Sequence, residues 1–395
     1  MSVPVLKLKR GEDRRLRAGH LWIFSNEVDT AATPLTQFEP GAVVQVHSDR
    51  DQFLGFAYVN PRTLIAARIV TRDAAYPLDR GLLVQRLRVA LALREKLYRE
   101  PYYRLVFGES DGLPGLVLDR YGDVLVAQSG TAGIDALRAD IEAAVGDVIG
   151  TQTLVWKNDS GARELEGLAL DVSAAGEIPA EIMVREQGAQ FVAPLADGQK
   201  TGWFYDQAAN RERLRRYLPA GARVLDICSY VGAWAVTAMK NGAGSATCVD
   251  ASATALDYVA RNAKRNGVGI DTVRGDAFDA LKALQEQGAR FDVVILDPPA
   301  FAKRKKDVPQ AIAAYRKLNQ LALPLIERDG ILVSCTCSYH MPADDLAAAI
   351  QGAARHTSRF VQLLELGGQS PDHPVHPAIP ETRYLKAFFC RVTRE

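Results

Sequence analysis

From about residue 187 to its end, the chain alternates short apolar runs with amphipathic stretches, and few folds accept that rhythm. The apolar runs lie at 223–228, 246–249, 272–274, 292–296, 331–335, 360–366 and 386–392. Between them, residues 234–241, 253–266, 277–287, 308–327 and 343–356 carry apolar side chains at helical spacing. Strands that each hand over to a helix close as a doubly wound, mostly parallel sheet, with helices on both faces. Such a sheet holds its ligands at the carboxyl ends of its strands. The spacing therefore predicts a Rossmann-like α/β domain over 187–395 and says where along it to look for chemistry.

Two further regions precede it in this chain of 395 residues. Residues 1–72 read as a small β-barrel or sandwich, with β-rich runs at 42–46, 53–58 and 64–70 broken by Ser48-Asp49-Arg50-Asp51 and Asn60-Pro61-Arg62. Residues 73–186 read as an α+β region. It has helices at 82–99 and 131–144, strands at 153–156 and 182–185, and a hairpin (115–120 and 124–128) turning at Tyr121-Gly122-Asp123. There is no internal repeat.

Charge is balanced, 48 Lys and Arg against 47 Asp and Glu, so its distribution says more than its total. Lys7, Lys9, Arg10, Arg14, Arg15 and Arg17 form one basic cluster; Lys303, Arg304, Lys305 and Lys306 form another. No apolar run is long enough to span a bilayer, and Met1-Ser2-Val3-Pro4 opens no signal peptide, so no membrane partner is expected. Five irregularly spaced cysteines suit a reducing, cytoplasmic setting better than a disulfide framework. Six scattered histidines form no H-x-x-x-H pair, so no metal site is expected.

The predicted strand ends carry the candidate ligand site. The run Val224-Leu225-Asp226-Ile227-Cys228 passes through Ser229-Tyr230-Val231-Gly232 into a helix at Ala233. A strand that turns sharply into a helix offers free backbone N–H groups and a carboxylate at one crevice. With Gly232 alone, the G-x-G-x-x-G needed for close approach to a pyrophosphate is missing, which disfavours a dinucleotide. Asp250 ends the next strand, where an acid commonly binds ribose hydroxyls. After the third, Asp276 and Ala277 lie where an adenine can be contacted. Any one of these acids alone could be a helix N-cap. Three at successive strand ends suit an adenosyl ligand with a cationic methionine tail.

Two more motifs close the pattern: Asp297-Pro298-Pro299 after Val293-Val294-Ile295-Leu296, and Ser334-Cys335-Thr336-Cys337-Ser338 after Ile331-Leu332-Val333. A carboxylate and a thiol at two strand ends can meet at one sheet edge. That pairing suits covalent attack on a flat, electron-poor ring.

On these residues the segment 224–392 resembles a class I S-adenosyl-L-methionine-dependent methyltransferase. The whole chain resembles the bacterial family of large-subunit (23S) ribosomal RNA cytosine-C5 methyltransferases, the RlmI type. The most specific likeness lies in Gln199-Lys200-Thr201-Gly202-Trp203-Phe204-Tyr205-Asp206-Gln207, in Asp297-Pro298-Pro299 with Phe301, in Cys337-Ser338, and in Asp372-His373-Pro374 with Tyr384-Leu385-Lys386. It implies a PUA domain, a central α+β domain and a methyltransferase domain, with S-adenosyl-L-methionine as cofactor and 23S rRNA as partner. It leaves room for a homodimer. Carried onto this chain, Cys337 becomes the nucleophile at cytosine C6, and Asp297 the group that binds the ring at N3 and its amino group. Asp226, Ser229, Gly232, Asp250, Asp276, Ala277 and Asp297 line the cofactor site, with Asp206, Gln207 and Arg211 toward the methionine end or the base. Lys303–Lys306 would grip RNA phosphates, and the amino-terminal cluster with Arg62 would make PUA-type contacts. Two departures stand out: Ala300 replaces the lysine common after the two prolines, and Cys335 is an extra thiol. Because residues two apart on a strand share a face, the strand is expected to break near Thr336. Other readings are methylation of a purine nitrogen, which needs no thiol, and a non-catalytic RNA-binding assembly factor.

Overall fold

The computed structural model describes residues 3–150, 153–174, 176–196, 198 and 200–394; Gln199, at the head of the 199–207 motif, lies outside them. The chain divides into two compact units: Met1–Ile182 with Pro194–Trp203 and Asp372–Thr382, and Met183–Ala193 with Phe204–Pro371 and Arg383–Glu395. This differs from three consecutive segments, because the first two regions pack as one body and short pieces of the third belong to it.

In the first unit, a five-stranded sheet runs in the order Val5–Lys7, Val43–His47, Phe53–Val59, Ile65–Thr71, Trp22–Phe24. Its inward side chains, among them Leu6, Ile23, Val44, Val46 and Ile69, form a closed apolar core. A second five-stranded sheet has the order Asp171–Ala174, Thr153–Asn158, Val124–Ser129, Leu116–Tyr121, Tyr102–Phe107. Helices Arg80–Leu97 and Arg138–Ile149 pack in the same region. The predicted hairpin is there, closed by Gly122 at φ +65°. The predicted 131–144 helix is instead two, Ala132–Ala136 and Arg138–Ile149.

The two sheets share a core. Phe56, Tyr58 and Val70 of the first join Leu82, Leu105, Leu118 and Ile134 of the second region in one apolar cluster. The Tyr58 hydroxyl donates to Pro114 O, and a Cβ at Gly133 would lie 2.0 Å from the Tyr58 ring, so only glycine allows this approach. Arg68 pairs with Glu166 at 3.1 Å, and Trp22 Nε1 donates to Glu109 at 2.9 Å. Arg94, wholly buried, binds both oxygens of Asp111 (2.6 and 2.8 Å) and the carbonyls of Arg104 and Asp372. The Asp372 carboxylate in turn accepts from Arg104 N at 2.8 Å. Thr201, also buried, donates to Asp119 at 2.6 Å. These buried polar bonds explain why residues distant in sequence fold with this unit.

The second unit holds the predicted doubly wound sheet. Its strands are β1 (Arg223–Ile227), β2 (Ser245–Asp250), β3 (Asp271–Arg274), β4 (Phe291–Leu296), β5 (Ile326–Thr336), β6 (Arg359–Gly367) and β7 (Lys386–Arg394). Their order is β3-β2-β1-β4-β5-β7-β6. β1 to β5 are parallel, whereas β7 runs antiparallel to β5 and β6. The helices are α1 (Ala208–Tyr217), α2 (Ala233–Lys240), α3 (Ala253–Arg265), α4 (Ala277–Glu286), α5 (Val308–Ala322) and α6 (Ala343–His356). Alternate residues of each strand feed opposite layers. Leu225, Ile227, Val294 and Leu296 face a core with Leu281, Tyr315 and Leu346, while Val224, Val293 and Ile295 face one with Trp234, Val259 and Leu214.

One predicted helix is too long. The 308–327 stretch stops at Ala322, gives one 3-10 turn at Leu323–Leu325, and already begins β5 at Ile326. Pro324 contributes to the stop, since it has no N–H with which to continue the α-helical bonding. The strand does end at Thr336, as its two thiols require. The hairpin Glu181–Glu186 and Ala189–Pro194 turns through Gln187 and Gly188, both left-handed, so the domain boundary expected at 186 falls inside a turn.

Arg94→Met should leave the Asp111 carboxylate buried without its partner and destabilise the protein by roughly 3–5 kcal/mol. Urea unfolding of the variant against wild type measures it.

Candidate functional site

Parallel pairing sets the site. Leu296 of β4 lies opposite Ile227 of β1 and Ser334 of β5, so all three strands end at one edge. Asp297 continues β4 and donates its N–H to Ile227 O at 3.3 Å. The turn at 336–338 continues β5.

The loop after β1 is unusual. Cys228, Tyr230 and Gly232 have φ of +62°, +50° and +81°. The N–H groups of Ser229, Tyr230 and Gly232 are bonded within the protein, to Val249 O, the Asp250 carboxylate and Ser229 O, so the loop is held in this conformation. Non-glycine residues in this region are strained, and such strain gathers at binding sites. At Gly232 a Cβ would lie 3.2 Å from Val259. Ser229 is buried.

The acids divide into two kinds. Asp250 and Asp276 lie at the rim. Asp250 accepts from Tyr230 N and Ser252 N, both at 2.9 Å, and thereby ties the β1 loop to the end of β2. Asp276 is exposed and caps α4 through Phe278 N at 2.8 Å, with Ala277 opening that helix. The rings of Phe278 and Phe301 lie 6.4 Å apart, and Phe301 packs on Tyr315 at 4.7 Å.

Asp226 is different. It is wholly buried and accepts from Ala235 N in the first turn of α2, at 3.3 Å. With no exposed surface, it acts on the edge through the first turn of α2. Burial, reinforced by the negative charge of Asp297, pushes its carboxyl up to about 8. Its sequence signal matched Asp250; only its depth in β1 distinguishes it.

Asp297 is held from two sides. Gln207 Nε2 donates to one oxygen at 2.8 Å, and Trp234 Nε1 to the other at 3.0 Å. Asn210 in turn donates to Gln207 Oε1 at 2.6 Å, fixing the amide. Burial raises the Asp297 carboxyl to about 6 against the pull of these donors. Asp206, also buried, accepts from the Tyr384 hydroxyl at 2.6 Å. Arg211 is buried, and its charge acts on both Asp206 and Asp297. It forks onto Glu186 at 2.6 and 2.7 Å, with a third bond to Phe204 O at 3.0 Å. A guanidinium so engaged holds the wall of the site in place.

The turn at 336–338 is pinned by three elements. Thr336 Oγ1 is 2.7 Å from the Tyr315 hydroxyl of α5, Ser338 Oγ donates to Ala302 O at 2.5 Å, and Lys386 Nζ of β7 donates to Ser338 O at 2.9 Å. Between them Cys337 is half-buried, whereas Cys335 is wholly buried and its thiol is pushed well up by burial. Cys335 is thus a core residue, while Cys337 reaches the edge. Lys303, Arg304, Lys305 and Lys306, just past Asp297, are all exposed, and only Arg304 of the four has an ion pair among the described residues, with Asp307 at 3.5 Å.

Trp234, Asn210, Tyr315 and Glu186 were not foreseen, because their roles depend on which side chains the sheet brings together. Tyr384 and Lys386 were marked by their motif, though not with roles.

Comparisons with known proteins agree with this architecture. Residues 6–72 match the model of a PUA-like domain, and residues 208–338 match the family described as conserved hypothetical protein 95. The chain is 35% identical to ribosomal RNA large subunit methyltransferase I of Salmonella arizonae, over 99% of this chain and 98% of that one. It is equally similar, 35%, to the protein of that name from Klebsiella pneumoniae, over 98% of each. The solved structure of SMU.776 complexed with SAH superposes with a TM-score of 0.83 at 23% identity, covering 99% of this chain and 100% of that one. A structure from Streptococcus mutans described as a SAM-dependent methyltransferase gives 0.82 at 22% identity, covering 98% and 100%.

With the Asp226 carboxyl raised, the folded state holds a proton that the unfolded state has lost, so stability falls as pH rises toward 8. The loss between pH 6 and 8 should be on the order of 2–3 kcal/mol. Asp226→Asn, which mimics the protonated acid, should flatten that slope in chemical denaturation at several pH values; an unchanged slope would assign it to other groups.

Proposed function

The chain belongs to the ribosomal RNA large subunit methyltransferase I family, and on that premise we propose that it methylates C5 of a cytosine in 23S rRNA through a covalent Cys337 adduct. The observation that carries this reading is the shared edge of β4 and β5. There Asp297, held by Gln207 and Trp234, lies beside the pinned turn that exposes Cys337.

S-adenosyl-L-methionine fits the first part of the edge, where it would supply an electrophilic methyl group. The strained loop 228–232, at the end of β1, would seat its methionine tail. Asp250 suits its ribose, and Asp276 with Ala277 its adenine. Asp206 and Gln207 flank the methionine end, and Arg211 with Asp226 supports the walls.

Cytosine C5 is a poor nucleophile. Addition of the Cys337 thiolate to C6 turns the ring into an enamine, and C5 then becomes reactive. Asp297 binds N3 and the exocyclic amine. A carboxyl that titrates near 6 is suited to share its proton with N3 as negative charge develops there. Once C5 is methylated, a base takes its remaining proton, the C5–H electrons form the C5–C6 double bond, and the C6–S bond breaks to release the Cys337 thiolate. The target base must leave its stack to reach this edge, and the exposed Lys303–Lys306 run beside it suits the flanking phosphates.

Cys337→Ala should abolish methyl transfer to rRNA and leave S-adenosyl-L-methionine affinity, read by calorimetry, unchanged. Retained turnover would instead favour purine-nitrogen methylation, which uses no thiol. Changing Lys303, Arg304, Lys305 and Lys306 to alanine should weaken RNA binding and reduce the slope of log affinity against log salt by roughly 0.7–0.9 for each phosphate no longer neutralised. A filter-binding salt series with the wild-type slope would remove that run from the interface.

A further inference from the structure

As a nucleophile, Cys337 must ionise near neutral pH. A free thiol titrates near ~8.5, so at pH 7 only a few per cent is reactive. Nearby charges make matters worse. Asp297 is a carboxyl whose negative charge acts on Cys335, the thiol two residues away, and also on Tyr315. A negative edge disfavours a thiolate unless a cation stands beside it.

Lys386 provides that cation. It enters β7 opposite Thr336, the last residue of β5. Its Nζ donates to Ser338 O at 2.9 Å, and to Tyr384 O at 3.3 Å. Ser338 directly follows Cys337, so the ammonium is bonded to the same turn that carries the thiol. The side chain is half-buried, where a charge acts over short range with little screening. We propose that Lys386 is the positioning residue of Cys337: its ammonium fixes the 336–338 turn and holds the thiol as a thiolate. The inference rests on the nucleophile reading above.

The charge balance is simple. The Cys337 thiol gives its proton to solvent, the ammonium keeps its own, and a neutral thiol beside a cation becomes an ion pair. The other titratable groups around the turn are Tyr315 from α5, Asp297 after β4, Cys335 on β5, and Tyr384, whose hydroxyl is committed to Asp206. Of these, burial pushes Tyr315 and Cys335 up, so they stay neutral. Burial also lowers Lys386 itself to about 8, while the Cys337 charge works to raise it. The two therefore titrate as a pair, and the ammonium form dominates at pH 7.

The test needs neither cofactor nor RNA. Wild-type protein is alkylated with iodoacetamide across a pH series, and Cys337 modification is read to the residue by fragment-ion mass spectrometry. Cys228 and Cys390, pushed up to about 12 by burial, serve as internal slow controls. Cys337 should inflect below the ordinary thiol range. In Lys386→Met the inflection should rise by about one unit and the rate at pH 7 fall about tenfold. Lys386→Arg, which keeps charge and donor, should restore most of the rate. A Lys386→Met profile that coincides with wild type overturns the proposal. So does a wild-type inflection at or above the free-thiol value, which needs no variant to fold. Failure of the nucleophile reading is seen separately, as methyl transfer by Cys337→Ala.

Discussion

Everything at the candidate site depends on the parallel pairing of β1, β4 and β5. Leu296 stands level with both Ile227 and Ser334, so the three strands run out together. The segments beyond them, a strained loop, a carboxylate and a thiol-bearing turn, must therefore share one edge. A slip of one residue in either pairing would turn Asp297 or Cys335 to the opposite face of the sheet. The apolar layers on both faces forbid this, since Val293 and Ile295 would have to exchange places with Val294 and Leu296.

That edge gathers negative charge, and the fold deals with it in three ways. Asp226 is buried so deeply that it keeps its proton at neutral pH and acts as a neutral cap for α2. Asp297 is left intermediate, with indole and amide donors opposing the cost of burial. Arg211 lies close enough for its positive charge to act on Asp297, but its fork is filled by Glu186, so the wall as a whole adds little net charge. Equal side chains thus do unequal work. Acids that look alike in sequence become a helix cap, a loop tie and a carboxylate held between an amide and an indole, according to depth and neighbours.

The first unit follows a different logic. Its barrel and its α+β layer are joined by a common apolar cluster and by buried ion pairs, Arg68 with Glu166 among them. Buried pairs of this kind add little net stability but define which partner goes where. Arg94 does the same for Asp111 and for the Asp372 backbone, which explains how a segment near the chain's end comes to be part of this unit.

Whatever repeats along the sequence could be read from it. Strand and helix periodicity located the seven strands of the large sheet, six of them to within two residues; β5 begins five residues early, where the 308–327 helix is read too long. Short or irregular strands such as Val5–Lys7, Trp22–Phe24 and Asp171–Ala174 were missed, since a few residues carry too little pattern. The strand-end acids, the Asp-Pro-Pro motif and the two thiols were visible because each ends an apolar run. Sequence alone determined that these groups lie at strand ends. Only the tertiary structure decided which of them meet, because burial and distance are set by packing between segments far apart in the chain. Asp226 and Asp250 both follow apolar runs, but the layer over β1 closes on one and leaves the other at the rim. Cys335 and Cys337 are two residues apart, and the end of β5 between them consigns one to the core and presents the other at the edge.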